Sequence, residues 1–153
     1  ARSIVSFILP FSLAFQPALA EKGLALTLDL APDVVLFCDP DKLERVFDTL
    51  LRNAMNYSDR DAPIAVTLSR GAQEVVITVE NQGPDIPPEK LDRIFEQFFR
   101  LDASRCSASG GAGLGLAIAK EIVERHHGTI RAESKAHRIS FSVTLPLPGG
   151  PAE

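Results

Sequence analysis

The chain of 153 residues has no tryptophan, one tyrosine, one methionine and two cysteines. The cysteines, Cys38 and Cys106, lack the paired spacing of a metal-ligand set and cannot build a disulfide framework. A reducing, cytosolic setting is the default for such a sequence. Long apolar runs are also missing. The longest, Ile4 to Phe15, contains Pro10 and falls short of the roughly 20 residues that a membrane-spanning helix needs. No basic segment leads into an apolar stretch with a small-residue cleavage site, so no secretory leader is expected. Positive charge is not in excess. Sixteen Lys and Arg against 20 Asp and Glu give a net charge of −4, and the pI is about 5.4. That balance argues against a nucleic-acid-binding protein. There are no internal repeats. The first residue is Ala1, not methionine, which suggests a domain cut from a longer chain.

What is present is the composition of a soluble globular domain, with 45% hydrophobic and 24% charged residues. The length suits one domain with a proper core. Pro10 is placed to open a first helix running to about Lys22, where Gly23 stops it. Leu24 to Leu30 alternates with period two and reads as a strand, and Val34 to Cys38 reads as another. Asp39 and Pro40 then form an N-cap and first turn. Leu43, Val46, Phe47, Leu50, Leu51 and Ala54 follow as one apolar helical stripe. Pro63 to Arg70 and Glu74 to Glu80 read as a hairpin around Gly71. Asn81 to Pro88 is a turn-rich loop. A short helix is expected over "KLDRIFEQFF". Arg100 to Gly113 is small, polar and glycine-rich, and reads as a mobile segment. A helix from about Gly113 to His126 and two closing strands complete the order, and "PGGPAE" reads as a disordered tail. This is not the regular alternation of a doubly wound sheet. A mixed sheet with helices on one face, an α/β sandwich, fits better.

Four segments carry candidate chemistry. "GGAGLGLAIAKEIVERHHG", Gly110 to Gly128, joins a glycine loop to a helix. It is not a P-loop, because Leu116 stands where Lys is required. It is not a dinucleotide fingerprint, because the third glycine is missing and a polar loop precedes it. Yet glycines allow close backbone approach, and the following helix offers unpaired N–H groups and a positive dipole end. Together these can hold an anion, and a flexible linker is the alternative. Asn53 lies inside the apolar helix, with Asn56 and Tyr57 on the next turn. An amide oxygen there can complete the shell of a Mg²⁺ held mainly by phosphates and water, or simply face solvent. In "ENQGPDIP", Asn81 can bond a base edge and Gly83 lets backbone approach a planar ring, or the stretch is an ordinary turn. In "IFEQFFR", Phe95, Phe98 and Phe99 either anchor a lid or join the core.

Any one of these segments is a weak signal, and the ordered set is specific. It resembles the catalytic ATP-binding domain of two-component sensor histidine kinases, over roughly residues 3–146. "LLRNAMNYS" is similar to the family's N box, "ENQGPDIP" to its G1 box, "IFEQFFR" to its F box, and the glycine loop with its helix to its G2 box. With "DPDKLERVF", the set looks most like the vancomycin-resistance sensor kinases.

The resemblance implies a Bergerat-type ATP-binding fold: a mixed, mostly antiparallel sheet of about five main strands packed on three helices. Residues 1–146 would form the domain and 147–153 the tail. ATP and Mg²⁺ are the implied cofactors. Asn53 would ligate the metal. Asn56, Tyr57, Asn81, Gly83, Ile86 and Phe98 would surround the nucleotide. Gly111, Gly113, Leu114, Gly115 and Leu116 would wrap its phosphates, and Arg100 and Arg105 would meet the γ-phosphate. The implied activity is transfer of that phosphate to a histidine on an upstream dimerisation domain, for relay to a response regulator. The whole protein would then be a membrane-bound homodimer with this domain in the cytoplasm, monomeric when isolated.

Several positions depart from the family pattern. Asn81 stands where most members have Asp, so the base loses a charge-assisted bond. Asp85 replaces a glycine; Asp tolerates left-handed backbone, and its carboxylate near the pocket mouth is expected to lower affinity. Asn56 replaces a frequent Lys. Thr49 stands where the related chaperone, gyrase and mismatch-repair ATPases carry a general-base Glu, which argues against efficient hydrolysis. His126 and His127 end the last helix, where the dipole favours a cationic cap rather than a phosphoacceptor. His137 falls in a turn. A catalytically degraded nucleotide-sensing or docking module, and an anti-sigma-type serine kinase of the same fold, are the rival readings.

Overall fold

The apolar stripe over residues 43–54 decides the architecture. The computed structural model describes residues 2–3, 13–31, 34–36, 38–59, 61–96 and 115–147, and in it that stripe is the inner face of the longest helix. In chain order the elements are β1 (Arg2–Ser3), α1 (Gln16–Glu21), β2 (Ala25–Leu30), β3 (Val35–Leu36), α2 (Pro40–Tyr57), β4 (Pro63–Arg70), β5 (Glu74–Gln82), α3 (Pro88–Leu91), α4 (Gly115–Arg125), β6 (Thr129–Lys135) and β7 (Arg138–Pro146). Five strands form one sheet in the order β2-β4-β5-β7-β6. The β2–β4 pair is parallel and the other three pairs are antiparallel. Helix α1 packs on β2, α2 on β5 and α4 on β6, with α2 against α4. This is the expected two-layer sandwich of a mixed, mostly antiparallel sheet and three covering helices.

Strand alternation and helix periodicity meet at the layer boundary. Ile64, Val66 and Leu68 of β4, Val75, Ile77 and Val79 of β5, and Ile139, Phe141, Val143 and Leu145 of β7 are all buried, with more exposed residues between them. Facing them, all six stripe residues of α2 are buried, as are Ala119, Ile122 and Val123 of α4. Helix α2 begins as the sequence indicates. Asp39 is extended, and its Oδ1 accepts from the N–H groups of Asp41 and Lys42 at 3.1 and 3.4 Å, while Pro40 occupies the first turn.

Some boundaries differ from the sequence reading. The first helix does not run unbroken from Pro10. Leu13 and Ala14 are helical, Phe15 is a turn, and α1 starts at Gln16, where Pro17 suits a first turn because its missing N–H has no partner to lose. Gly23 ends that region with φ +71, as expected. Of the strand expected over Val34 to Cys38, Val35–Leu36 is extended and pairs with Arg2–Ser3 in a separate two-stranded sheet, and Phe37 lies outside the described residues. The helix expected over "KLDRIFEQFF" is a single turn, Pro88–Leu91, followed by turns to Phe95. At the far end, Leu147 N–H donates to Gln73 O at 2.9 Å, so the first residue assigned to the tail is tied to the β4–β5 turn.

The C-terminus of α4 explains the two adjacent histidines. His126 Nδ1 bonds Ile122 O at 2.8 Å, and Asp39 N–H donates to His126 Nε2 at 3.1 Å. A carbonyl accepts and an N–H donates, so these two bonds together require the proton on Nδ1 and a bare Nε2. The ring is at the helix end, as expected, and it bridges the last turn of α4 to the cap of α2. His127 has φ +65; its N–H donates to Glu124 O at 3.0 Å, and Gly128 N–H donates to Val123 O at 2.9 Å. This is the Schellman closure, with histidine at the left-handed position that glycine usually fills. Replacing His127 with Gly removes the Cβ penalty and is expected to stabilise the fold by about 1 kcal/mol, net of glycine's extra unfolded-state entropy. Urea denaturation measures it; a loss of stability would show that the His127 side chain contributes contacts of its own.

Candidate nucleotide-binding site

Residues four apart on a helix share a face. Thr49, Asn53 and Tyr57 of α2 therefore line one stripe, and all three are half-buried. At one end of the stripe α4 begins. A Cβ on Gly115 would lie 3.4 Å from Thr49 Cγ2. At the other end lies the loop after β5. A Cβ on Gly83 would lie 2.2 Å from the Tyr57 carbonyl oxygen and 3.3 Å from Asn81 Nδ2. Asn53 thus sits between the helix start of the glycine segment and the end of β5 with its following loop, which carry Asn81 and Gly83. Three segments far apart in sequence meet along two turns of one helix.

Asn81 continues the inward alternation of Val75, Ile77 and Val79, opposite Ile64 and Ile139. It is 2% exposed, and among the described residues it is the only buried polar one. Its Nδ2 has no hydrogen-bond partner among the described residues. A buried donor left unpaired costs about 1–3 kcal/mol. The position is therefore suited to a polar group that arrives from outside, such as the edge of a heteroaromatic base, while Gly83 lets the loop pack directly on the Tyr57 carbonyl, where no side chain would fit. The first turn of α4 holds no acidic residue that would offset its positive end. A base at one end of the stripe and an anion at the other is the arrangement a nucleotide fits, and the Asn53 amide stands between the two ends. Among the described residues no group of three or more His, Cys, Asp or Glu could hold a metal by itself.

The remaining sequence candidates divide clearly. Asn56 is half-buried near the end of α2, Ile86 is buried, and Leu116 is half-buried against the core. Phe95 stands edge-on to Phe141, with centroids 6.1 Å apart and planes at 87°, so it belongs to the core. Phe98, Arg100, Arg105, Gly111, Gly113 and Leu114 lie outside the described residues, as does the rest of the expected lid.

The loop after β5 is braced by residues that sequence reasoning missed. Gly83 N–H donates to His137 O at 3.1 Å, and Ile86 N–H donates to Ser134 Oγ at 2.7 Å. His137 N–H donates to Asp85 Oδ1 at 2.8 Å, and His137 Nε2 bonds Asp59 Oδ2. Asp59 N–H returns to Gln82 O at 2.7 Å. Asp85 was expected to exploit left-handed backbone, but it is not among the positive-φ residues. Its side chain carries the role instead. No local sequence signal announces these contacts, since the turn "KAHR" contains none of the usual glycine or asparagine.

The family model described as histidine kinase-, DNA gyrase B- and HSP90-like ATPase matches residues 38–149. The chain belongs to this family. The match takes in α2 through β7, hence every element that builds the site. Sensor protein VanSC of Enterococcus gallinarum is 46% identical over 134 residues, which is 88% of this chain and 37% of that protein. Sensor protein VanS of Enterococcus faecium is 46% identical over 132 residues, 86% of this chain and 34% of that protein. The chain thus spans about a third of the length of these curated relatives. The nucleotide-free catalytic domain of the histidine kinase ThkA has the same fold, with a TM-score of 0.84 at 24% identity, covering 95% of this chain and 93% of that one. ThkA has also been solved in complex with the response regulator TrrA.

The two glycines beside α2 make opposite predictions. Gly83→Ala forces its Cβ into the Tyr57 carbonyl, so the loop must shift; both stability and nucleotide binding are expected to fall. Gly115→Ala meets only ordinary contact with Thr49, and is expected to leave stability unchanged or raised by up to about 1 kcal/mol. Thermal melts of the two variants decide it, and equal effects would refute the assigned geometry.

Proposed function

We propose that this chain is the ATP-binding catalytic domain of a sensor histidine kinase. The observation that carries the reading is the convergence on α2 of a buried amide with no partner among the described residues, a loop glycine packed on the Tyr57 carbonyl, and the start of α4. Family membership and the VanS-type relatives support it. In this reading Asn81 meets the adenine edge and Gly83 with Ile86 lines the base. Tyr57 and Asn56 flank the nucleotide, and the α4 amides at Gly115 and Leu116 receive the phosphates with Gly111, Gly113 and Leu114. Asn53 holds Mg²⁺, which would neutralise phosphate charge during transfer. Arg100 and Arg105 meet the γ-phosphate.

The γ-phosphate would pass to a histidine on an upstream dimerisation domain, and from there to an aspartate of a response regulator. The resemblance to vancomycin-resistance kinases points to cell-wall antibiotic signalling. The whole protein would be a membrane-bound homodimer with this domain on the cytoplasmic side. No helix among the described residues is long and apolar enough to cross a membrane.

Two variants test the assignment. Asn53→Ala should keep the fold and abolish Mg²⁺-dependent phosphorylation of a separate histidine-helix fragment by radiolabelled ATP; normal transfer would remove Asn53 from the site. Asn81→Asp should tighten ATP binding about threefold to tenfold by charge-assisting the bond that the residue 81 side-chain oxygen accepts from the adenine amino group. The free protein should at the same time lose stability, because a carboxylate would then be buried without a partner. Unchanged affinity would show that residue 81 does not reach the base.

A further inference from the structure

We propose that Asp85 and His137 are positioning residues of the nucleotide site, and that the β6–β7 turn is a working part of it. The inference rests on the nucleotide reading above. It assigns a role to two residues that the motif pattern leaves out.

The turn between β6 and β7 has left-handed backbone at both central residues, Ala136 at φ +54 and His137 at φ +64, and is closed by the Lys135–Arg138 pair. Neither residue is glycine, so the conformation is held at a cost. What it achieves is visible in the bonds of His137. Its carbonyl accepts from Gly83 N–H and its N–H donates to Asp85 Oδ1, so one residue grips the loop on both sides of Pro84. Its ring reaches Asp59, just beyond α2, and Asp59 N–H returns to Gln82 O, at the start of the same loop. Gln82, Gly83, Asp85, His137 and Asp59 thus form a closed circuit. It fixes the loop relative to the C-terminal end of α2, where Tyr57 and Asn81 lie.

Two features separate positioning from general stabilisation. The His137 and Asp59 side chains are 58% and 43% exposed, and exposed polar bridges of this kind add little to global stability. The backbone of Gly83, by contrast, is buried against the Tyr57 carbonyl at the end of α2. A loop ordered before the ligand arrives saves the ligand the cost of ordering it. The circuit therefore acts on affinity more than on folding.

The proposal reverses the sign expected from charge alone. A carboxylate near a triphosphate should repel it, so removing Asp85 would tighten binding. If Asp85 instead anchors the loop, removing it loosens binding. Residue 85 has ordinary backbone, so Ala introduces no strain there.

The test is displacement of a trinitrophenyl-ATP probe by Mg·ATP from the wild type, Asp85→Ala, Asp85→Asn and His137→Asn, with melting temperatures alongside. Asp85→Ala should weaken ATP binding about threefold to tenfold with little change in melting temperature. Asp85→Asn keeps an oxygen for His137 N–H and should bind near the wild-type level. His137→Asn tolerates the left-handed turn but loses the ring bond to Asp59, and should fall between. Binding by Asp85→Ala as tight as, or tighter than, the wild type would overturn the proposal, as would Asp85→Asn no better than Asp85→Ala. Absence of ATP binding by the wild type would sink the nucleotide reading itself and this inference with it.

Discussion

The site depends on one polar side chain at an inward position of a central strand. β5 alternates strictly, and its inward residues run Val75, Ile77, Val79 and then Asn81. The alternation gives the fourth position to the core as firmly as the first three. An apolar residue there would have completed the layer. Asn81 instead brings a donor that nothing in the described structure satisfies. Its burial is enforced by the sheet, and its missing partner follows from that burial. Moving β5 by one residue to expose Asn81 would turn three valine and isoleucine side chains to solvent.

Helix α2 sets the scale against which the other parts are placed. Its buried stripe fixes its rotation, because six apolar residues must face the sheet. Once that rotation is fixed, Thr49, Asn53 and Tyr57 have no freedom of direction. Eight residues of helix rise about 12 Å, so contacts at Thr49 and Tyr57 are separated by roughly the reach of an extended nucleotide. The helix is anchored at both ends. Asp39 caps its start and takes His126 of α4 as a neighbour, while Ser58 Oγ returns to Ala54 O at 2.6 Å at its end. The distance between the two halves of the site is therefore a property of the core and not of loops.

What was legible in the sequence is what periodicity and local capping encode. The six-residue stripe of α2, its Asp39–Pro40 start, the hairpin at Gly71 and the stop at Gly23 are all set by neighbours within a turn or two. Asn53, Asn81 and Gly83 stood out because they break those patterns. What was not legible depends on chain segments far apart. His137 bonds residues 52 and 78 positions away, and Asp39 meets a histidine 87 positions away. A two-residue left-handed turn without glycine gives no warning. The pairing of β3 could not be read for the same reason: its partner is at the start of the chain, outside the main sheet. Local pattern reveals which residues are out of place; only the packed layers reveal what they are out of place for.

Thr49 bears on what the site does with a bound nucleotide. It lies one turn before Asn53, where a carboxylate could draw a proton from water. A threonine hydroxyl has no such basicity, and its Cγ2 lies beside the start of α4, close enough to touch even an added methyl on Gly115. On the proposed reading, loss of the base is not loss of function. Transfer to another side chain needs the phosphates held in line and their charge offset, and the incoming nucleophile supplies its own lone pair. A site able to hold ATP but poorly equipped to hydrolyse it keeps the γ-phosphate until an acceptor histidine is presented.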